Sequence, residues 1–400
     1  PHKATELLRR AAPAVAAMED NPRGQLLFLS ATPLPYVKTV DYGQGYLFHY
    51  QGEKNPGGYN QPDPRGAFFM QHFGYRMHTG KLTEPAAGVN SEVMEREFHE
   101  WLKREGSLSG RALTVDKDYD RKFVLVDDAI GNRIDQALDF LREAEDGRYR
   151  DIYDLVYKQF DYLARMRLLE AIKAQHAIPI IRQHHDLGRK VVVFHDYNEG
   201  GGLNPFEVRI PEDALSHKTG EKLSDVYADF HAKNPDVRKL KFASLGSPLS
   251  QLTKAFPDAL IYNGNVTGKL RATARKLFNT DGPGGRNLII VQSAAGEAGI
   301  SLHDTTGQHQ RVTLNLGMPV RPVTAIQEEG RIYRVGQKSD AVQRYMSTGT
   351  NWERWTFAGK IAERAGTAEN LAMGENARAM KQAFVDAFAD ADTYPASPED

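Results

Sequence analysis

Cysteine is absent from the 400-residue chain, so neither a disulfide nor a thiolate metal site can form. A chain without disulfides fits a reducing cytosol, and a cytoplasmic location, in a bacterial or phage-infected cell, is expected. No apolar run approaches the ~20 residues of a membrane span, and no basic-then-apolar stretch opens the chain as a secretory signal would. The longest apolar runs, such as Val191–Phe194, have the length of buried strands. Excess charge of either sign is also lacking. Lys and Arg number 51 against 52 Asp and Glu, for a net charge of −1. Any polyanion binding must then come from local basic faces. No internal repeat is present. At 40% hydrophobic and 26% charged residues, the composition excludes a disordered tail, a collagen-like chain and a coiled coil. The length fits two or three globular units of roughly 100–200 residues.

The chain opens Pro1-His2-Lys3 without a Met, which reads as cut rather than natural. Leu7, Leu8, Ala11, Ala14 and Val15 recur at helical spacing, and Gln25–Leu29 suits a buried strand ending in Ser30-Ala31-Thr32. Residues 36–150 differ in texture. Turn signals at Asn55-Pro56-Gly57-Gly58 and Asp63-Pro64-Arg65-Gly66 precede helices expected over about 91–104 and 128–145. This region reads as an accessory insertion of mixed structure. From 151 the pattern is α/β. A long helix runs from Ile152 towards Leu187 with an interruption expected at Pro179. Strands follow at Val191–Phe194, Ala259–Tyr262, Leu288–Val291 and Val312–Leu316, separated by helices that include Lys269–Phe278 and Thr324–Tyr333. Buried strands alternating with helices argue for a parallel sheet covered on both faces. The units expected are 1–35, 36–150, 151–350 and a helical tail over 351–400.

Three segments carry chemistry. Gln327, Arg331 and Arg334 lie at i, i+4 and i+7, so on a helix they line one face, with Gly330 beside them to admit a ligand or another backbone. Planar guanidiniums suit a polyphosphate, although the spacing alone fits a solvated basic face as well. Ser293-Ala294-Ala295-Gly296-Glu297-Ala298-Gly299 follows the strand Leu288–Val291, where loops bind ligands in open α/β sheets. Small residues there let backbone N–H groups reach phosphate, and they also serve tight strand-to-helix packing. Ser30-Ala31-Thr32 on its own reads as a helix cap.

In this order the segments resemble the superfamily 2 helicases and translocases, nearest the Swi/Snf-like and Strawberry-notch-like branches. Leu27–Pro33 resembles motif III, Lys190–His195 motif IV, and Ala295–Leu302 motif V. Ile261-Tyr262-Asn263-Gly264 with Arg271 and Phe278 resembles the G…R…F segment between motifs IV and V. Gln327–Gln337 matches the Q-x-x-G-R-x-x-R-x-G-Q form of motif VI. The aromatic insertion and the tail are similar to large methylase–helicase and anti-restriction proteins of phages and plasmids.

The resemblance implies a RecA-like second lobe, a remnant of the first lobe, and ATP with Mg²⁺ held in a cleft between them. The phosphate-binding G-x-x-x-x-G-K-[ST] loop and the Asp-Glu pair for Mg²⁺ do not occur in this chain. The resemblance therefore implies a partner lobe carrying them, and a chain that does not hydrolyse ATP alone. His2 stands where a DExH box would end, or is an expression remnant. Arg331, Arg334 and Gln327 would act at the γ-phosphate side, with Gly299, Glu297, Gly330 and His2 near the nucleotide. Ser30, Thr32, His195, Gly264, Ser293, Ala295 and Gly296 would meet the backbone of nucleic acid, with double-stranded DNA as the implied track. The second reading is a non-catalytic helicase-like scaffold module of a larger protein. No metal site and no membrane contact are expected.

Weaker features have plainer readings. Phe68–His78 mixes rings and basic groups, as a base-stacking surface does, but reads better as core of the insertion. His184-His185-Asp186 fits a cation-favouring helix end better than a metal site. Thr79-Gly80-Lys81-Leu82 and Thr267-Gly268-Lys269-Leu270 read as turns.

Overall fold

The computed structural model describes residues 33–45, 47–51, 62–109, 115–126, 128–144, 147–201, 203–240, 242–296, 300–317, 322–374 and 380–389. Ser30, Thr32, His2, Glu297 and Gly299 lie outside them. The described residues fall into two units, one within 33–109 and 362–383, the other within 115–361 and 384–389.

In the first unit, Asp63 accepts the Gly66 N–H at 2.6 Å and so starts the helix Pro64–Phe73, with Pro at the one position where its missing N–H costs nothing. A hairpin follows, β1 (Arg76–His78) against β2 (Lys81–Thr83). Its turn is Thr79-Gly80, both with the positive φ that a two-residue turn of this kind needs. The helix Ser91–Arg104 is capped by Asn90, whose side chain accepts from Val93 N at 3.2 Å. The core is aromatic. Phe48 stacks on Phe68 at 4.7 Å, and Phe69, Phe73, Tyr75, Phe98 and Leu371 close around them. The rings of Phe68, Phe69, Phe73 and Tyr75 are thus core, as the plainer reading has it, while Met70, Gln71, Arg76 and His78 of the same stretch are exposed.

The second unit is built on six parallel strands: β3 (Tyr119–Leu125), β4 (Lys190–His195), β5 (Leu260–Tyr262), β6 (Leu288–Gln292), β7 (Arg311–Asn315) and β8 (Ala341–Ser347). Their order is β3-β8-β7-β4-β6-β5. Alternation along β4 explains the layers. Val191 and Val193 point to one face, where the helices Asp128–Glu143, Tyr162–Asp186 and Leu223–Lys233 pack. Val192 and Phe194 point to the other, against Ala274, Phe278, Ile300, Leu302 and Ile332. All six β4 residues are buried. Each such Val or Phe side chain contributes about 1.5–3 kcal/mol through its burial. The RecA-like α/β expectation agrees with this sheet.

Several expectations are corrected. The accessory region does not extend to 150, because β3 pairs with β8 in the large sheet and the helix Asp128–Glu143 packs on that sheet. Residues 362–373 of the expected tail belong with the first unit. The helix break falls at Phe160–Asp161, not at Pro179. Asp161 accepts from Ala164 N at 2.8 Å and begins a new helix, Tyr162–Asp186, that contains Pro179. Burial of Ala177, Ile180 and Ile181 beside Pro179 offsets the lost backbone hydrogen bond. Thr267 is not a turn residue but the cap of the helix Gly268–Asn279, accepting from Leu270 N at 3.4 Å. Among the described residues, no helix is long and apolar enough to cross a membrane.

Candidate nucleic-acid interface

In an open parallel sheet, ligands meet the carboxyl ends of the strands. Here three of those ends are tied together by amide side chains. The Gln292 carbonyl, at the end of β6, accepts from Asn198 at 3.0 Å and from Gly264 N at 3.3 Å. Its amide nitrogen donates to Asp196 O at 3.2 Å, beyond β4. Asn263, beyond β5, donates to Asn198 at 3.3 Å. Each amide supplies donor and acceptor at once, so the three tips hold a fixed spacing.

Beside Gly264 lies an open groove of about 290 Å³, walled by Tyr262, Gly268, Arg271, Ala272, Arg275 and Ala295. The helix Gly268–Asn279 places Arg271 and Arg275 at i and i+4, on one face. It also carries Lys269 and Lys276 and no acid. The Arg271 guanidinium lies 5.7 Å from the Tyr262 ring centre. Among the described residues, neither Arg271 nor Arg275 has a carboxylate partner. Two uncompensated guanidiniums in a groove lined by small residues are suited to phosphate oxygens.

Of the residues named from sequence, Gly264 is exposed and Ala295 lines this groove. Ser293 is buried. Gly296 is buried for packing, since a Cβ there would sit 2.6 Å from Val291 Cγ1 and 3.2 Å from Phe194 Cε1. His195 is fully buried, with Nδ1 3.2 Å from Tyr197 O, and burial pushes its pKa down to about 4. It is a neutral packing residue with no surface to offer a phosphate. His184 is likewise fully buried, its pKa pushed down to about 4 by burial, and it contacts Arg189 at 3.2 Å. It does not serve as a cation at the helix end.

The arginine stripe expected at Gln327, Arg331 and Arg334 does not form. The helix is Pro322–Glu329, so Gln327 is helical while both arginines follow in turns. Beyond Glu329 the chain tightens into i→i+3 turns, with Arg331 N donating to Glu328 O at 3.0 Å and Ile332 N to Glu329 O at 3.2 Å. Arg331 is buried and donates to Ile300 O at 3.4 Å, and Arg334 donates to the Ser301 hydroxyl. Leu302 N donates to Arg331 O at 2.9 Å, and Leu302 O accepts from Arg311, the first residue of β7, at 3.1 Å. The turn therefore lies toward the amino ends of β7 and β8, away from the strand tips that carry the groove. Gln337 sets its shape: its carbonyl accepts from Arg334 N at 2.8 Å, and its amide nitrogen donates to Ser339 O at 3.0 Å.

Two residues that the sequence reading missed hold this turn from β3. Arg121 makes two hydrogen bonds to Glu329, and the Tyr119 ring lies 4.7 Å from Tyr333. Tyr345 donates to the same carboxylate at 2.8 Å. Gln292, Asn198 and Arg275 were missed as well. Among the described residues, no three His, Asp or Glu side chains converge as a metal ion requires.

No protein-family model matches the chain. Over 94 residues, 23% of this chain, it is 36% identical to Protein FORGETTER 1 of Arabidopsis thaliana, and the match covers 7% of that protein's length. Among solved structures it is similar to the C-terminal part of the Fun30 ATPase domain, at 15% identity and a TM-score of 0.28, over 75% of this chain and 90% of that one.

Proposed function

We propose that the second unit is the nucleic-acid-binding second lobe of an ATP-dependent translocase, and that it grips the phosphate backbone with Arg271 and Arg275. The groove at the tips of β5 and β6 carries this reading. It combines fixed strand ends, small walls and guanidiniums without acid partners among the described residues. Backbone contacts position a strand without reading its bases, so binding is indifferent to sequence and weakened by salt.

In this reading the segment Gln327–Gln337 is the nucleotide side of the lobe. Arg334, half-buried, and Arg331 supply positive charge to ATP once a partner lobe brings the phosphate loop and the Mg²⁺ carboxylates. Guanidiniums fit triphosphate oxygens, whereas this chain offers no Mg²⁺ ligand set among its described residues. Double-stranded DNA is the proposed track. The internal bonds of Arg331 and Arg334 to Ile300 and Ser301 favour the second reading, a non-catalytic helicase-like scaffold module of a large phage or plasmid protein.

Fluorescence anisotropy with labelled duplexes of unrelated sequence tests the first point. Equal affinity across sequences, and a loss of about tenfold or more in Arg271→Ala/Arg275→Ala, is expected from charge-assisted contacts of ~1.5–3 kcal/mol. Undiminished binding by that variant rejects the groove. To separate motor from scaffold, ATPase is measured in a longer protein that includes a phosphate loop. Turnover lost in Arg334→Ala supports the motor, and absence of turnover in the parent leaves the scaffold.

A further inference from the structure

Across the same edge of the sheet, on the β4 and β8 side, lies a second set of groups that the groove does not use. Tyr162 begins the long helix after the Phe160–Asp161 break and is 52% exposed. Its ring meets Trp352, just beyond β8, edge to face at 6.0 Å. The Arg165 guanidinium lies between two rings, 5.4 Å from Trp352 and 5.2 Å from Phe160. Two residues further along the helix, Arg167 lies 5.8 Å from Tyr197, which follows β4. Arg165 donates to Phe160 O at 3.4 Å and lies in the field of Asp161, and among the described residues neither Arg165 nor Arg167 is in an ion pair.

An exposed Tyr thus meets a half-buried Trp beside two half-buried guanidiniums that form no ion pair among the described residues. Rings interleaved with cations suit a flat, electron-rich heterocycle attached to an anionic chain. The location agrees. Four strand intervals separate β8 from β5, about 19 Å at ~4.8 Å each. A strand rising ~3.4 Å per nucleotide covers that span in about six nucleotides.

We propose that Tyr162 and Trp352 form a shelf that stacks unpaired bases of a nucleic-acid strand whose phosphates lie in the Arg271–Arg275 groove. This rests on the nucleic-acid reading above and adds to it a preference for single-stranded segments. Base-paired rings are buried in their own stack and cannot reach the shelf, so a duplex uses the groove alone.

The test uses the full chain with an oligodeoxythymidine longer than this span and a duplex of equal length. The single strand is expected to bind more tightly and to quench tryptophan fluorescence. Tyr162→Ala and Trp352→Leu are each expected to weaken single-strand binding about five- to a hundred-fold and to leave duplex binding unchanged. Trp352→Phe, which preserves a ring, is expected to keep most of the affinity but lose the quenching. If single-strand affinity is unchanged in both Tyr162→Ala and Trp352→Leu, the shelf is refuted while the groove stands. If neither nucleic acid binds the parent chain, the reading beneath it fails and the shelf falls with it.

Discussion

Arg121 on β3 holds the Glu329 carboxylate through both of its oxygens, with Nε at 2.8 Å and the second nitrogen at 2.5 Å. The two side chains are 13% and 8% exposed. Tyr345 shares the carboxylate, and the Phe384 ring lies 4.6 Å from the guanidinium. Glu329 is the last residue of the helix that leads into Arg331 and Arg334. The edge strand thereby fixes where the arginine turn begins.

Removing one member leaves the other charged and buried. Arg121→Met and Glu329→Leu are each expected to lower stability by about 3 kcal/mol or more, while the double variant recovers much of that loss. Urea unfolding of the four proteins in the cycle measures it. Additive losses would show that the pair is not coupled.

Gly296 offers a separate check on a residue that sequence motifs assign to ligand contact. Its Cβ position is blocked by Val291 and Phe194. Gly296→Ala is expected to lower the unfolding free energy by about 1–3 kcal/mol, as overpacking does. Affinity for duplex DNA, measured well below the unfolding temperature, should stay at the parent value. A variant of full stability with reduced DNA affinity would return Gly296 to the ligand surface.

These two cases show what was legible. Strands β4 and β6 were readable because both of their faces are buried, which leaves uninterrupted apolar runs, while β7 showed through Val312, Leu314 and Leu316. Strands β3 and β8 were not. Arg121, Gln343 and Arg344 interrupt their pattern, and partners such as Glu329 and Asp120 for the two arginines are far away in sequence. The G…R…F segment pointed to Gly264 and Arg271, but Arg275 joins the site only through helical spacing and Ala295 only through the fold. The arginine stripe failed because the regular helix ends at Glu329 and the chain goes on in tighter turns, so spacing beyond it no longer maps onto one face.

The pH dependence has a defined sign. Glu170 is buried under the end of β4, accepting from Asp196 N at 2.7 Å and Tyr197 N at 3.2 Å. Burial, with the Asp196 charge adding to it, pushes its pKa up to about 8. The folded state then holds a proton that the unfolded chain releases near its ordinary value, so this group's contribution to stability is lost as pH rises to about 8. His195 and His184 act oppositely. Their folded pKa values of about 4 mean that stability falls as pH drops below the ordinary histidine value. Thermal unfolding is expected to be highest near pH ~6.5, falling on both sides. Glu170→Gln should remove the alkaline decline and keep the acid one. An alkaline decline of the same size in that variant would assign it to another group.

The central claim is that Arg271 and Arg275 neutralise phosphates of a nucleic-acid backbone. Its most direct test is the slope of log affinity against log salt for duplex DNA, in the parent chain and in Arg271→Ala/Arg275→Ala. Each phosphate contact contributes about 0.9 to that slope, so the variant is expected to be shallower by about 1.8. An identical slope in the two proteins would place the backbone contacts elsewhere and contradict the account.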